Sequence, residues 1–364
     1  MQKQHKIKKV IITTVVSLCV IFIVSTMVTL GIYSSRFDRI GEFPESNFGK
    51  VVSPENDFYP YYSWGEIDQI KYSREEVHFN SGKHKLQGFI YGKENTNGLV
   101  VISEGLGMTA NGYLPMIMYF VDKGWRVFAF NNTGVSGSEG KNTRGMVQSV
   151  IDLDAALTYV ENSDKFTGLP VMLAGHSWDG YAVCAVLNYN HRISAVVSFS
   201  GYNNNKGSEL VKDGGMAMLG NFYYIIAPSI WTVEKSRFGG ATNFTAVGGI
   251  NKSGIPVMIV QCSDDDVISP NTTSIYAHRK EITNPKVEIV YRDGEDAVWH
   301  NSFVSKAQKE YTDWAVKSWE TYKTVNKNAT ARQWANEIHF DKGLANELDY
   351  NVFERIVTMF NKAK

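Results

Sequence analysis

Leu169-Pro-Val-Met-Leu-Ala-Gly-His-Ser-Trp-Asp-Gly-Tyr-Ala-Val-Cys-Ala-Val-Leu187 decides how the rest of the chain is understood. Val171 to Ala174 is a short apolar run, the mark of a buried strand. The chain then turns at Gly175-His-Ser-Trp-Asp-Gly180 and enters a helix-like run, Tyr181 to Asn188. A strand, a tight turn carrying a serine, and a helix make the layout of a nucleophile elbow. Such a turn forces Ser177 into a sparsely populated backbone conformation and lifts its hydroxyl clear of the sheet. The helix start aims free N–H groups and a positive dipole end at the same spot. One feature departs from the usual Gly-x-Ser-x-Gly: Asp179 stands where the second glycine belongs, and Gly180 follows it. The plain structural alternative is a serine that merely caps a helix.

Upstream, Glu75–Asn80 and Lys85–Tyr91 alternate around Ser81-Gly82, which predicts a hairpin. Gly98–Glu104 and Trp125–Phe130 are apolar strand candidates, with a helical segment, Tyr113 to Lys123, between them. A glycine-rich loop, Asn131 to Gly140, follows, and then Gly145 to Asn162 with apolar residues at helical spacing. Downstream of the elbow, Ile193–Ser200, Ile255–Val260 and Lys286–Tyr291 complete the strands. A hairpin followed by strand–helix alternation predicts an α/β fold, a mostly parallel central sheet with helices on both faces. Ligands bind such sheets beyond the carboxyl ends of the strands.

Among 364 residues, 37 Lys+Arg balance 37 Asp+Glu, so no basic surface argues for a nucleic-acid partner. The three cysteines, Cys19, Cys184 and Cys262, form neither a disulfide framework nor a metal-ligand spacing. Residues 1–9 carry Lys3, Lys6, Lys8 and Lys9, and residues 10–32 run without a charge. At about 1.5 Å per residue that run spans about 34 Å, enough for a bilayer core of about 30 Å. The prediction is a transmembrane anchor with its basic flank in the cytoplasm and the following domain outside. A cleaved signal peptide is the alternative, against which the length of the run argues. Residues 33–74, with Pro44, Pro54 and Pro60, are expected to form a stalk that partly packs on the domain.

Together, the elbow, the loop Asn131-Asn-Thr-Gly-Val-Ser-Gly-Ser-Glu-Gly140 and the chain order serine, acid, histidine resemble the α/β-hydrolase superfamily, over roughly residues 75–318. The resemblance implies an α/β-hydrolase fold with a cap insertion. It places the catalytic acid at Asp265 in Gln261-Cys-Ser-Asp-Asp-Asp-Val-Ile-Ser-Pro270, with Asp264 and Asp266 as the other choices. It places the base at His300, in the loop after the last strand. Ser177 would be the nucleophile, and the backbone N–H groups of Trp178 and Leu106 the oxyanion donors. No cofactor is required. Where the family commonly has His-Gly, this chain has Glu104-Gly105; a charged carboxylate there would oppose catalysis, the alternatives being that Glu104 points away or is buried and protonated.

Within a hydrolase domain of residues 75–323, the segment 201–254 is expected to be the cap. Its Met216, Met218, Leu219, Tyr223, Ile226 and Trp231 would wall an acyl site, or simply pack as helices. Residues 324–364 are expected to add extra helices. The function implied is hydrolysis of a carboxylic ester, the partners being a small acyl substrate and the membrane. Peptidase, thioesterase or acyltransferase chemistry, and a catalytically silent binding module, are the rivals. The sequence leaves the oligomeric state open.

Overall fold

The computed structural model describes residues 2–41, 58–204 and 220–364. Helix α1 (Gln2–Arg36) comes first. The predicted hairpin is β1 (Arg74–Ser81) and β2 (His84–Tyr91), paired antiparallel around Ser81 and His84. Then follow β3 (Leu99–Ser103), α2 (Leu114–Asp122), β4 (Arg126–Phe130), α3 (Gln148–Asn162), β5 (Val171–His176), α4 (Trp178–Ala185) and β6 (Ala195–Phe199). Helices α5 (Tyr223–Phe238) and α6 (Ala246–Ser253) precede β7 (Val257–Cys262) and β8 (Val287–Arg292). The chain closes with α7 (Lys306–Val325), α8 (Ala331–Glu337), the short α9 (Lys342–Ala345) and α10 (Tyr350–Lys362).

The eight strands form one sheet in the order β1-β2-β4-β3-β5-β6-β7-β8. β1–β2 and β2–β4 pair antiparallel, and every later pair is parallel. β3, β5, β6 and β7 are buried along their whole length, which is why they are unbroken apolar runs with little alternation. One face packs on α3, α4 and α6, through Leu153, Val183 and Ile250 among others. The other packs on α2 and α10, through Ile117, Phe353 and Phe360.

That second face corrects the expected domain limits. The hydrolase domain does not end at 323, because α10 covers the sheet itself. Phe353 stacks on Phe199 of β6 with centroids 5.8 Å apart, and Phe360 stacks on Phe120 of α2 at 5.9 Å. The addition is α7–α9, held by Trp319, Trp334 and Ala345, with Tyr61 from the preceding segment packed into the same cluster. Phe58 meets Phe340 edge-on at 5.1 Å. In the segment 201–254, α6 belongs to the core beside α4. The expected lid residues Met216, Met218 and Leu219 lie outside the described residues.

Candidate active site

β5 runs straight into the turn that carries Ser177, and α4 leaves it at once. Ser177 has φ 56° and ψ −113°, a region that non-glycine residues rarely occupy. It is held there by its own N–H, which donates to the carbonyl of Phe199 at 2.8 Å. The crossing is tight. A Cβ on Gly175 would lie 2.2 Å from the Asp179 carbonyl, and one on Gly180 would lie 2.7 Å from the Phe199 carbonyl. The close approach that usually demands glycine two places after the serine therefore falls at Gly180, one place later.

The structure brings the three expected side chains together. Ser177 Oγ is 2.8 Å from His300 Nε2. His300 Nδ1 is 3.0 Å from both oxygens of Asp265. With Nδ1–H donated to that carboxylate, Nε2 is left with a lone pair facing the serine hydroxyl. Asp265 also accepts from the N–H groups of Val267 (3.0 Å) and Ile268 (2.8 Å) and from Gln261 Nε2 (2.9 Å). Burial alone would raise its pKa. The His300 hydrogen bond and positive field, with the Ile268 and Gln261 bonds, outweigh burial and hold the carboxyl below its usual range. The flanking acids have a different task. Asp264 accepts the N–H of Trp299 at 2.9 Å, and Asp266 accepts its indole N–H. Both fix the residue before His300, which sits at φ 66°. Buried Arg292 secures the same loop from behind, donating to the carbonyls of Ser302 and Val304 at 2.8 Å each and pairing with Asp349 at 2.8 Å.

A second chain of hydrogen bonds runs beneath the nucleophile. The Gly105 N–H donates to the Tyr113 hydroxyl at 2.9 Å. That hydroxyl therefore gives its single proton to His176 Nδ1, also 2.9 Å away. His176 Nε2–H is then the donor to the His300 carbonyl at 3.2 Å. Burial, and next the neighbouring His300, push the His176 pKa down to about 3, so its imidazole is neutral at every working pH. The network ties the loop after β3, the elbow and the His300 loop to one another.

The two departures in the sequence lie together under this loop. Asp179 is fully buried, and its Oδ2 accepts from Asn132 Nδ2 at 2.8 Å and from the Ser103 hydroxyl. Burial pushes its pKa up to about 7 against those hydrogen bonds. Glu104 is 1% exposed, and its Oε1 accepts the Asn132 N–H at 2.6 Å. Burial first, and then the Asp179 charge, raise its pKa well above the carboxylate range. Burial thus favours the protonated form at both carboxyls. Neither side chain is among the described residues that line the cavity at Ser177.

That cavity has a volume of about 150 Å³. Ser177, His300, Leu106, Met108, Met116 and Phe303 line it, together with Tyr61, Gln308, Asn346 and Leu348. Leu106 lines this cavity. The buried Trp178 indole N–H donates to the Met146 carbonyl at 2.6 Å on the core side. The expectation of an acyl wall built by residues 201–254 is not met among the described residues. The wall is built instead by Leu106, Met108, Met116 and Phe303, with Tyr61, Gln308 of α7, Ala345 of α9 and Leu348, and no described residue of α5 lines it. Among the described residues, no group of three or more His, Cys, Asp or Glu side chains is placed to hold a metal ion.

The model of the serine aminopeptidase S33 family matches residues 94–230, a segment that includes the elbow. An esterase from Pyrococcus furiosus, Pf2001, superposes with a TM-score of 0.52 at 15% identity, over 77% of this chain and 97% of its own. A second crystal form of it gives 0.50 at 17% identity, over 70% and 94%. By fold, the chain is an α/β-hydrolase. No curated protein matches it significantly by sequence.

In this α/β-hydrolase, His176 and Tyr113 are the participants that sequence reasoning passed over. In the sequence, His176 is simply one residue of the elbow and Tyr113 the start of a helical segment. A histidine directly beside the nucleophile was the one available signal.

Proposed function

We propose that this chain is a serine hydrolase that cleaves a carboxylic ester through an acyl-enzyme. The observation that carries this is the line Ser177–His300–Asp265, closed by 2.8 and 3.0 Å contacts at a strained strand–helix turn. His300 takes the Ser177 proton as the hydroxyl oxygen attacks the carbonyl, and Asp265 stabilises the imidazolium that forms. The N–H groups of Trp178 and Leu106 receive the developing negative charge, each such donor being worth about 2.7–4 kcal/mol. His300 then protonates the leaving alcohol, and water releases the acid by the reverse sequence. The ester reading is favoured over an aminopeptidase by the cavity. Its described lining has no Asp or Glu to receive a substrate's α-ammonium, and its walls are largely apolar. Helix α1, a candidate span at Gln4–Gly31 that is free of charge from Val10 onward, supports attachment to a membrane, and its basic flank favours an extracytoplasmic catalytic domain.

The test is labelling of the full chain in detergent with a fluorophosphonate, beside Ser177→Ala, followed by a panel of esters, thioesters and amino-acid amides. Labelling that Ser177→Ala abolishes, with esters the fastest class, is expected. A folded native protein that does not label, or that hydrolyses only amides with a free amine, would overturn the proposal.

A further inference from the structure

Helix α1 does not stand apart from the catalytic domain. Cap helix α5 lies along it, with the Ser229 and Ser25 hydroxyls hydrogen-bonded to one another and Ser229 Oγ also 3.5 Å from the Phe22 carbonyl. Within Gln4–Gly31, Ser25 and Thr29 are the buried positions, 4% and 1% exposed. They lie one helical turn apart, and small hydroxyl residues so spaced let helices approach closely in a bilayer. Depth is the deciding quantity. Ser25 lies six residues inside the Gly31 end of the apolar span, about 9 Å at 1.5 Å per residue. If α1 crosses a bilayer, Ser229 sits at acyl-chain depth beside it.

The side of α5 turned away from α1 suits that position. Tyr223, Ile226 and Ile230 are buried, while Tyr224, Ile225 and Trp231 are 58, 47 and 54% exposed. Tyr223 to Trp231 has no charge, and Glu234, Lys235 and Arg237 come only in the last turns. A helix apolar all round belongs in a core or in lipid. A second observation fixes the orientation of the domain. Only Phe37 separates α1 from Asp38, which bridges Asn142, and Ile40 pairs with Val135. These partners lie in the loop leaving β4. β4 and β5 both run parallel to β3, so that loop and Ser177 leave the sheet at the same edge.

We propose that α5 is a second membrane-embedded segment, seated on the anchor, and that it holds the catalytic edge of the sheet against the bilayer, so that the substrate is an acyl ester carried by a bilayer amphiphile. The substrate part rests on Ser177 being the nucleophile, and the whole rests on α1 spanning the membrane.

The test uses the full chain in nanodiscs of phosphatidylcholine and phosphatidylglycerol. Cys19→Ala removes the exposed thiol, and Cys184 and Cys262 are buried. Single cysteines at Ile225, Trp231 and, as the aqueous control, the 92% exposed Ile70 then carry an environment-sensitive fluorophore. Blue-shifted emission quenched by spin-labelled lipid at 225 and 231, but not at 70, is expected. Water-like emission at 225 and 231, quenched by iodide, overturns the embedding, and so does a mature chain beginning beyond residue 31. In the second arm, the triple variant Tyr224→Ser, Ile225→Ser, Trp231→Ser should lose at least tenfold in rate on a fluorogenic diacylglycerol in the nanodisc. Its rate on a soluble short-chain ester should stay within twofold. Equal loss on both, or loss on neither, overturns the substrate assignment. A native protein inactive on both esters refutes the hydrolase reading and the substrate assignment with it, while the fluorescence still decides the embedding.

Discussion

Tyr113→Phe is the sharpest perturbation of the site, because it removes one atom and keeps the ring. The ring stays packed near Phe303 and His176, with centroids at 6.0 and 6.1 Å. The lost hydroxyl leaves the Gly105 N–H and His176 Nδ1 without partners in a buried place. A buried polar group left unpaired costs about 1–3 kcal/mol, so the two together should lower stability by about 2–6 kcal/mol if nothing moves. The loop can recover part of this only by turning Gly105 away, and Leu106 must then follow. If half of one oxyanion donor's 2.7–4 kcal/mol is lost, kcat falls roughly 10- to 30-fold. The assay is steady-state hydrolysis of a soluble ester by the full chain, with kcat and KM resolved across pH and an unfolding midpoint measured alongside. KM should change less than threefold, and the acid limb of kcat/KM should stay in place, since the hydrogen bonds between His300 and Asp265 are untouched. A variant that loses stability but keeps kcat within twofold of native would refute the claim that Tyr113 positions the loop. A displaced acid limb would instead make it a perturbation of the base.

Glu104→Gln should keep activity within about threefold at pH 7 and should not lower stability by more than about 1 kcal/mol, because burial pushes this carboxyl toward the neutral form that an amide resembles; a tenfold loss of kcat would show that its ionised form matters. Asp179→Asn tests linkage: a folded pKa raised to about 7 contributes stability fully present below pH 4 and lost as pH rises through 7, on the order of 4 kcal/mol for three pKa units. The variant should therefore match native at pH 4 and exceed it at pH 8 in urea midpoint, and a less stable variant at pH 8 would contradict the assignment. His176 has the opposite sign: its pKa is depressed to about 3, so native stability should decline as pH falls from about 6.5 toward 3. Gly180→Ala drives a Cβ to 2.7 Å from the Phe199 carbonyl that holds the Ser177 N–H, so a loss of about 1–3 kcal/mol and a drop in fluorophosphonate labelling rate are expected; unchanged labelling would show the elbow to be more pliable than its packing indicates.

The parallel core of the sheet was legible because full burial turns β3, β5, β6 and β7 into apolar runs bounded by turn residues, and no helix of such length competes. Ser177 was legible for a local reason, since the elbow is a contiguous motif. Asp265 and His300 were legible only in chain order, and the choice among Asp264, Asp265 and Asp266 needed space: three adjacent carboxylates face two residues, His300 and Trp299, in an alternation that no linear pattern encodes. The last helix was misplaced for a similar reason. Val352, Phe353, Ile356 and Phe360 mark an amphipathic helix in any sequence, but nothing local says that its apolar face meets β6 and α2 and not a separate lobe.

The same limit explains Asp179 and Glu104, which looked damaging in sequence. Each stands where the family tolerates something else, and a list of departures suggests an impaired site. In space they are one feature, a buried carboxyl pair bridged by Asn132, which donates its backbone N–H to Glu104 and its side-chain amide to Asp179. Asn132 is the second residue of the glycine-rich loop after β4, so the pair joins that loop to the loop after β3 and to the elbow helix. Burial raises both carboxyls, and the Asp179 charge adds to the rise at Glu104. Losing one member should then be felt at the other. Asp179→Asn removes the charge that raises Glu104, so Glu104→Gln should affect stability at alkaline pH less in the Asp179→Asn background than in the native chain. A double-mutant cycle at pH 8 measures this directly, and strict additivity of the two substitutions would separate the carboxyls again.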